Sequence, residues 1–302
     1  MPNQTQISIF KWWPFALVWL CFGCTQEKTV YLDADFPELI PKPYAEGIIN
    51  VDGRFQQNLT MSANGKECYF TETGGKEWRY ERILRLRLLE NQQTEMDTPQ
   101  FVRDFQYKNV WFIGEPMLSP DNQSLYFVAD YPPDLWKSQR GSDGDWEAPT
   151  KLDALNTEKD DWYVSISNQN RLFFTNGTAY QSELQDRQYR TKEKLNAPFN
   201  ETDVRDPYIA PNEDFMIFSK TDSTGYGESD LYVSFKDSEG NWGKTLNLGP
   251  EINTDGFEMA PYISPDERFL FFSRRDAWQN ATFSKVYWVS MEVIDRLRRK
   301  SD

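Results

Sequence analysis

Five times along this chain a tight polar turn leads straight into a run of aromatic and aliphatic residues. Ser62-Ala63-Asn64-Gly65 leads into Tyr69-Phe70, Ser119-Pro120-Asp121-Asn122 into Leu125-Tyr126-Phe127, and Ser167-Asn168-Gln169 into Leu172-Phe173-Phe174. Ala210-Pro211-Asn212-Glu213 leads into Met216-Ile217-Phe218, and Ser264-Pro265-Asp266-Glu267 into Leu270-Phe271-Phe272. Pro at the second turn position presets φ, and the Asp or Asn beside it bonds nearby backbone, so each run reads as a β-turn between strands. The closing Phe residues (70, 127, 174, 218 and 272) lie 57, 47, 44 and 54 residues apart. That spacing leaves room for about four short strands per unit. One such unit cannot bury its own apolar faces, whereas several arranged around an axis can.

Other landmarks recur in the same order. Trp146 lies twelve residues past Asp134 in Asp134-Leu135-Trp136, and Trp242 twelve past Asp230 in Asp230-Leu231-Tyr232. Each reads as a strand, a Gly-containing turn and a returning strand that opens with Trp. An Asn then marks the link to the next unit, at Asn50, Asn156, Asn200 and Asn253, with acids close behind.

The Ser-Pro-Asp turn followed by an aromatic strand resembles the WD40-like repeat of TolB-type β-propellers. The run "DLYVSFKDSEGNWGKTLNLGPEINTDGFEMAPYISPDERFLFFS" carries the likeness best, and it extends over roughly residues 44 to 290; the third copy lacks the Pro. The resemblance implies an all-β fold, a single propeller of four-stranded blades with the first strand of each near the axis. Repeat count gives five blades; such propellers usually have six, so an irregular sixth is sought in residues 75 to 110 or 276 to 302. The likeness implies no single activity, because propellers of this kind act as docking surfaces, ligand sites and appendages of peptidases.

Residues 1–23 read as a leader. Lys11 supplies a positive charge and Trp12 to Phe22 an apolar stretch, shorter than the ~20 residues a membrane span needs. Its end, Leu20-Cys21-Phe22-Gly23-Cys24, resembles a bacterial lipobox, which implies lipidation of Cys24 and a place in the cell envelope, periplasmic or surface-facing. Residues 24–43, with three Pro and two Asp beyond position 32, read as a tether, and 44–302 as the propeller. The strand Lys285 to Ser290 has no fourth strand after it, so Tyr44 to Asn50 is expected to supply one and close the ring. Met291 to Lys300 reads as a short amphipathic helix, with Val293, Ile294 and Leu297 on one face and a basic end that complements the helix dipole.

The chain carries a net charge of −14 and no histidine. The first property disfavours phosphate backbones, and no basic patch argues for nucleic acid. The second removes Ser-His-Asp triads and His-ligated metal sites, leaving Asp, Glu, Tyr or Lys for any acid–base chemistry. Of the three cysteines only Cys24 and Cys68 lie past the apolar stretch, so no disulfide framework is expected and Cys68 reads as a small strand hydrophobe.

The candidate binding residues are the acids at the entrance to each first strand, Glu115, Asp161, Asp206 and Glu258, expected to converge on one mouth of the channel. Their oxygens would suit Ca²⁺, yet Asp143-Gly144-Asp145 and Asp237 to Gly240 read as hairpin turns rather than calcium loops, and no cofactor is expected. The alternative for these acids, and for the four Asn, is architectural: a residue repeated in every unit usually serves the fold. Trp78, Trp111, Trp162 and Trp278 are candidate stacking platforms for sugars or peptide rings. Together these features favour a non-catalytic envelope module that binds a protein or glycan; the alternative is a carboxylate-based glycan hydrolase at the channel mouth, which needs two acids ~5–10 Å apart.

Overall fold

The computed structural model describes residues 28–74, 80–108, 110, 112–200 and 203–301. The expected leader, with Cys24, and Trp78 and Trp111 lie outside them. Strand β1 (Lys42–Pro43) comes first. Strands β2 (Phe55–Met61), β3 (Glu67–Thr73), β4 (Glu81–Leu88) and β5 (Thr94–Asp97) then pair in chain order. Helix α1 (Gln100–Tyr107) leads to a second set, β6 (Ile113–Leu118), β7 (Ser124–Ala129), β8 (Asp134–Gln139) and β9 (Thr150–Lys151).

The third set is β10 (Trp162–Ile166), β11 (Leu172–Thr175), β12 (Ala179–Ser182) and β15 (Glu193–Lys194). A small hairpin of β13 (Leu184–Gln185) and β14 (Gln188–Tyr189) is inserted before its last strand. The fourth set is β16 (Arg205–Ile209), β17 (Phe215–Lys220), β18 (Asp230–Phe235) and β19 (Leu246–Asn247). The fifth has β20 (Phe257–Ile263), β21 (Phe269–Arg275) and β22 (Ser284–Ser290), with β1 adding antiparallel beside β22. Helix α2 (Glu292–Ser301) ends the chain. A single parallel pair, Phe55 with Ser284, joins the fifth set to the first.

Two devices recur in every set. The first is the expected turn. Ser119 Oγ accepts from Ser124 N–H and donates to Asp121, and Ser264 Oγ does the same with Phe269 N–H and Asp266. The last turn residue is left-handed in all five copies: Gly65, Asn122, Asn170, Glu213 and Glu267, at φ from 57° to 71°. The second device is a bulge in each first strand, where the register with the second strand slips. Its residue is again left-handed: Asn58, Glu115, Tyr163, Asp206 and Ala260, at φ from 48° to 54°. A bulge bends the strand and re-aims its side chain. First strands lie against one another in the order β2, β6, β10, β16, β20 and back to β2. The closing aromatics Phe70, Phe127, Phe174, Phe218 and Phe272 are all buried, each contributing roughly 1.5–3 kcal/mol of apolar burial.

The chain departs from three expectations. Residues 28–43 do not hang free: Val30 N–H donates to Asn64 O, and Tyr31 and Phe36 pack on Phe269 and Trp288. Apolar side chains outweigh the prolines that suggested a tether. The strand beside β22 is Lys42–Pro43, not Tyr44 to Asn50, which forms turns. Within residues 80–108 and 276–301 there is no further sheet; beside β4, β5 and β22, that chain holds α1 and α2. Helix α2 lays Ile294 into the core, with Val293 and Leu297 beside it. Cys68 is buried in β3 and unpaired, and burial pushes its thiol up to about 12.

Candidate functional site

At the end where the first strands begin, a cavity of about 1440 Å³ opens between the sheets. Its wall includes both acids among the five bulge residues. Glu115 sits on β6 and Asp206 on β16, each half-buried. Each spends one carboxylate oxygen on the bulge of the next sheet: Glu115 Oε2 accepts from Tyr163 N–H at 2.7 Å, and Asp206 Oδ2 from Ala260 N–H at 3.0 Å. Ser219 Oγ adds a bond to Asp206 at 2.9 Å. The other oxygens, Glu115 Oε1 and Asp206 Oδ1, have no partner among the described residues.

Glu81 on β4 completes an acidic floor. Gln57 Nε2 donates to its Oε1 at 3.4 Å, while Glu81 Oε2 accepts nothing. This carboxylate lies so close to Gly114 that a Cβ there would sit 2.5 Å from Oε2, which accounts for the glycine. Burial pushes Glu81 up to about 8, with Arg275 holding it back. Burial also raises Glu115 well above the usual carboxylate range, and the charges of Asp206 and Glu81 add to that. Asp206 is raised by burial, against the pull of its bonds from Ala260 and Ser219. Gln57 Oε1 and Asn58 Oδ1, on side chains 4% and 5% exposed, are further acceptors without a donor.

The mouth is aromatic. Trp162 meets Phe112 edge to face at 5.2 Å, and Trp278, 48% exposed, lies 5.2 Å from Phe257. Lys159, Asp160, Asp203, Arg205 and Glu228 surround these rings.

Asp161 and Glu258 do not share the cavity. Asp161 accepts from Thr157 N–H and Oγ1, Glu258 from Thr254 N–H and Oγ1 and from Arg274 Nε; both are buried. They brace the loop that enters each first strand. Three of the four linking Asn are also architectural. Asn50, Asn156 and Asn253 each pair their amide with both backbone groups of one third-strand residue, Val286, Leu135 and Leu231 respectively. Asn200 is exposed. Gly144 and Gly240 close hairpin turns, as expected. Among the described residues no group of three or more His, Cys, Asp or Glu side chains is placed to hold a metal ion, and no helix is long and apolar enough to cross a membrane.

Sequence reading missed Gln57, Asn58 and Glu81. Asn58 was within reach, because it precedes its turn by four residues, as Glu115 and Asp206 precede theirs.

No family model and no curated protein matches the chain. Among solved structures it is similar to a TolB candidate of Agrobacterium tumefaciens, at 12% identity and TM-score 0.49 over 80% of this chain and 78% of that one. It is also similar to TolB of Acinetobacter baumannii, at 12% identity and TM-score 0.47 over 78% and 54%. A luciferin-regenerating enzyme is similar at 9% identity and TM-score 0.47 over 78% and 92%. The fold assignment rests on the strand pairings themselves.

Proposed function

We propose that this chain is a non-catalytic binding module of the bacterial envelope: a five-bladed propeller closed by β1, lipid-anchored at Cys24, that receives a protein or glycan partner at the mouth of its axial cavity. One observation carries this reading. Under an exposed aromatic rim the cavity holds acceptor oxygens that the protein itself leaves unpaired, and aromatic walls around a few convergent polar groups are the ordinary make-up of a ligand site. With no histidine, acid–base chemistry there would fall to the carboxylates or to Lys159. The test is capture of partners from envelope membranes by the full-length chain and by a Trp162→Ala/Trp278→Ala variant. Loss of the same partner from the double variant supports the reading; unchanged capture removes it. Sedimentation of Cys24→Ala away from membranes would support the anchor, and continued co-sedimentation would refute it.

A hydrolase is the second reading, favoured by Glu115 and Asp206, whose carboxyls share the cavity, with the charge of Asp206 adding to the rise that burial gives Glu115. An acid kept protonated beside an ionised partner is the arrangement glycoside cleavage uses. Saccharide turnover that Asp206→Asn abolishes would replace the binding reading with this one.

A further inference from the structure

We propose that the group seated deepest in this cavity is a primary ammonium on an alkyl stem, as at the end of a lysine-like chain. The inference rests on the binding reading and names the chemistry of the ligand. Five oxygens around one space lack a protein donor: Gln57 Oε1, Asn58 Oδ1 and Glu81 Oε2, which are buried, and Glu115 Oε1 and Asp206 Oδ1, on half-buried residues. A buried acceptor left unmade is costly, so a ligand that brings donors gains more here than at an open surface. An ammonium brings three donors and no acceptor of its own. A hydroxyl brings one donor together with lone pairs that need donors in turn.

Charge points the same way. Six acidic and two basic side chains line the cavity; burial raises Glu81 and Glu115, and a bound cation would favour their ionised forms. The rings of Trp162 and Trp278 suit an alkyl stem along their faces and a cation near them. A divalent ion fits less well, since no three acids converge as a metal ligand set among the described residues.

The probe is 1,5-diaminopentane, titrated calorimetrically into the full-length chain. Controls are 1-pentanol, acetate and calcium chloride. The diamine is expected to bind, with 1-pentanol and acetate giving no heat. Glu115→Gln and Asp206→Asn keep an acceptor for Tyr163 and Ala260 N–H while removing the charge, and each should weaken the diamine about tenfold or more. Lys159→Gln, at the rim, should tighten it. Circular dichroism and the melting temperature of each variant without ligand separate lost binding from lost fold. Equal binding of 1-pentanol, preferential binding of acetate, displacement of the diamine by micromolar calcium, or undiminished affinity in both folded acid variants would each overturn the proposal. If membrane partners still need Trp162 and Trp278 but the diamine does not compete with them, the ammonium assignment fails while the binding reading survives.

Discussion

Glu81 shows what one buried acid does to the whole stability profile. Its neighbours are Gln57 on β2, Arg275 on β21 and Glu115 on β6, and burial holds it at about 8 in the folded chain. An unfolded glutamate titrates near ~4.3. Between those values the folded chain binds more protons than the unfolded one, so stability is full below the lower value and falls as pH rises through the higher. Glu115 and Asp206 push in the same direction. Glu81→Gln removes one such proton while keeping the shape. In urea unfolding, the variant should lie within about 1 kcal/mol of wild type near pH 5 and gain roughly 4 kcal/mol on it by pH 9, at ~1.4 kcal/mol for each pH unit up to the folded value. Parallel curves at the two pH values would show that the carboxyl is not titrating in that window.

At the scale of elements, three of the linking asparagines tie each link to a third strand. Asn253 is 1% exposed and clamps both backbone groups of Leu231; Leu231 C=O also accepts from Leu248 N–H, so Asn253→Ala leaves the buried Leu231 N–H open and should cost about 1–3 kcal/mol. Asn200→Ala, at the exposed copy, should shift the urea midpoint by almost nothing. Equal losses at the two sites would count against the clamp. The turns were fully legible, because Pro, Asp and Ser act locally. The candidate acids were half legible. Glu115 and Asp206 stand four residues before their turns and meet the cavity, whereas Asp161 and Glu258 stand six before theirs and brace a loop. A bulge separates those two offsets, and spacing alone does not reveal a bulge. Helix α1 was also hidden: its N-cap is Pro99 without a side-chain bond, and it has no acidic first turn or basic last turn.

For the whole molecule, the decisive join is between the two ends of the chain. Tyr44, Phe271 and Trp288 pack ring on ring at 5.0 to 5.8 Å, and Tyr31 and Phe36 cover the same wall. That the ends meet was legible from a last sheet one strand short. Where they meet was not, because a two-residue strand is too short to show alternation. Removing residues 28–43 would strip β22 of β1 on its outer side and uncover Trp288 and Phe269. Such an edge invites pairing with other chains. The truncated chain is expected to melt at least several degrees lower and to associate in light scattering; a monomer with the full-length melting temperature would contradict this.

The five left-handed kinks around the hub have a consequence for how proteins of this design can diverge. The main chain bends alike at Asn58, Glu115, Tyr163, Asp206 and Ala260, although an amide, two acids, a phenol and a methyl occupy the five places. Like the tumblers of a lock, the side chains that face the cavity can change what the hub admits, provided those at Glu115 and Asp206 keep an acceptor for the next bulge.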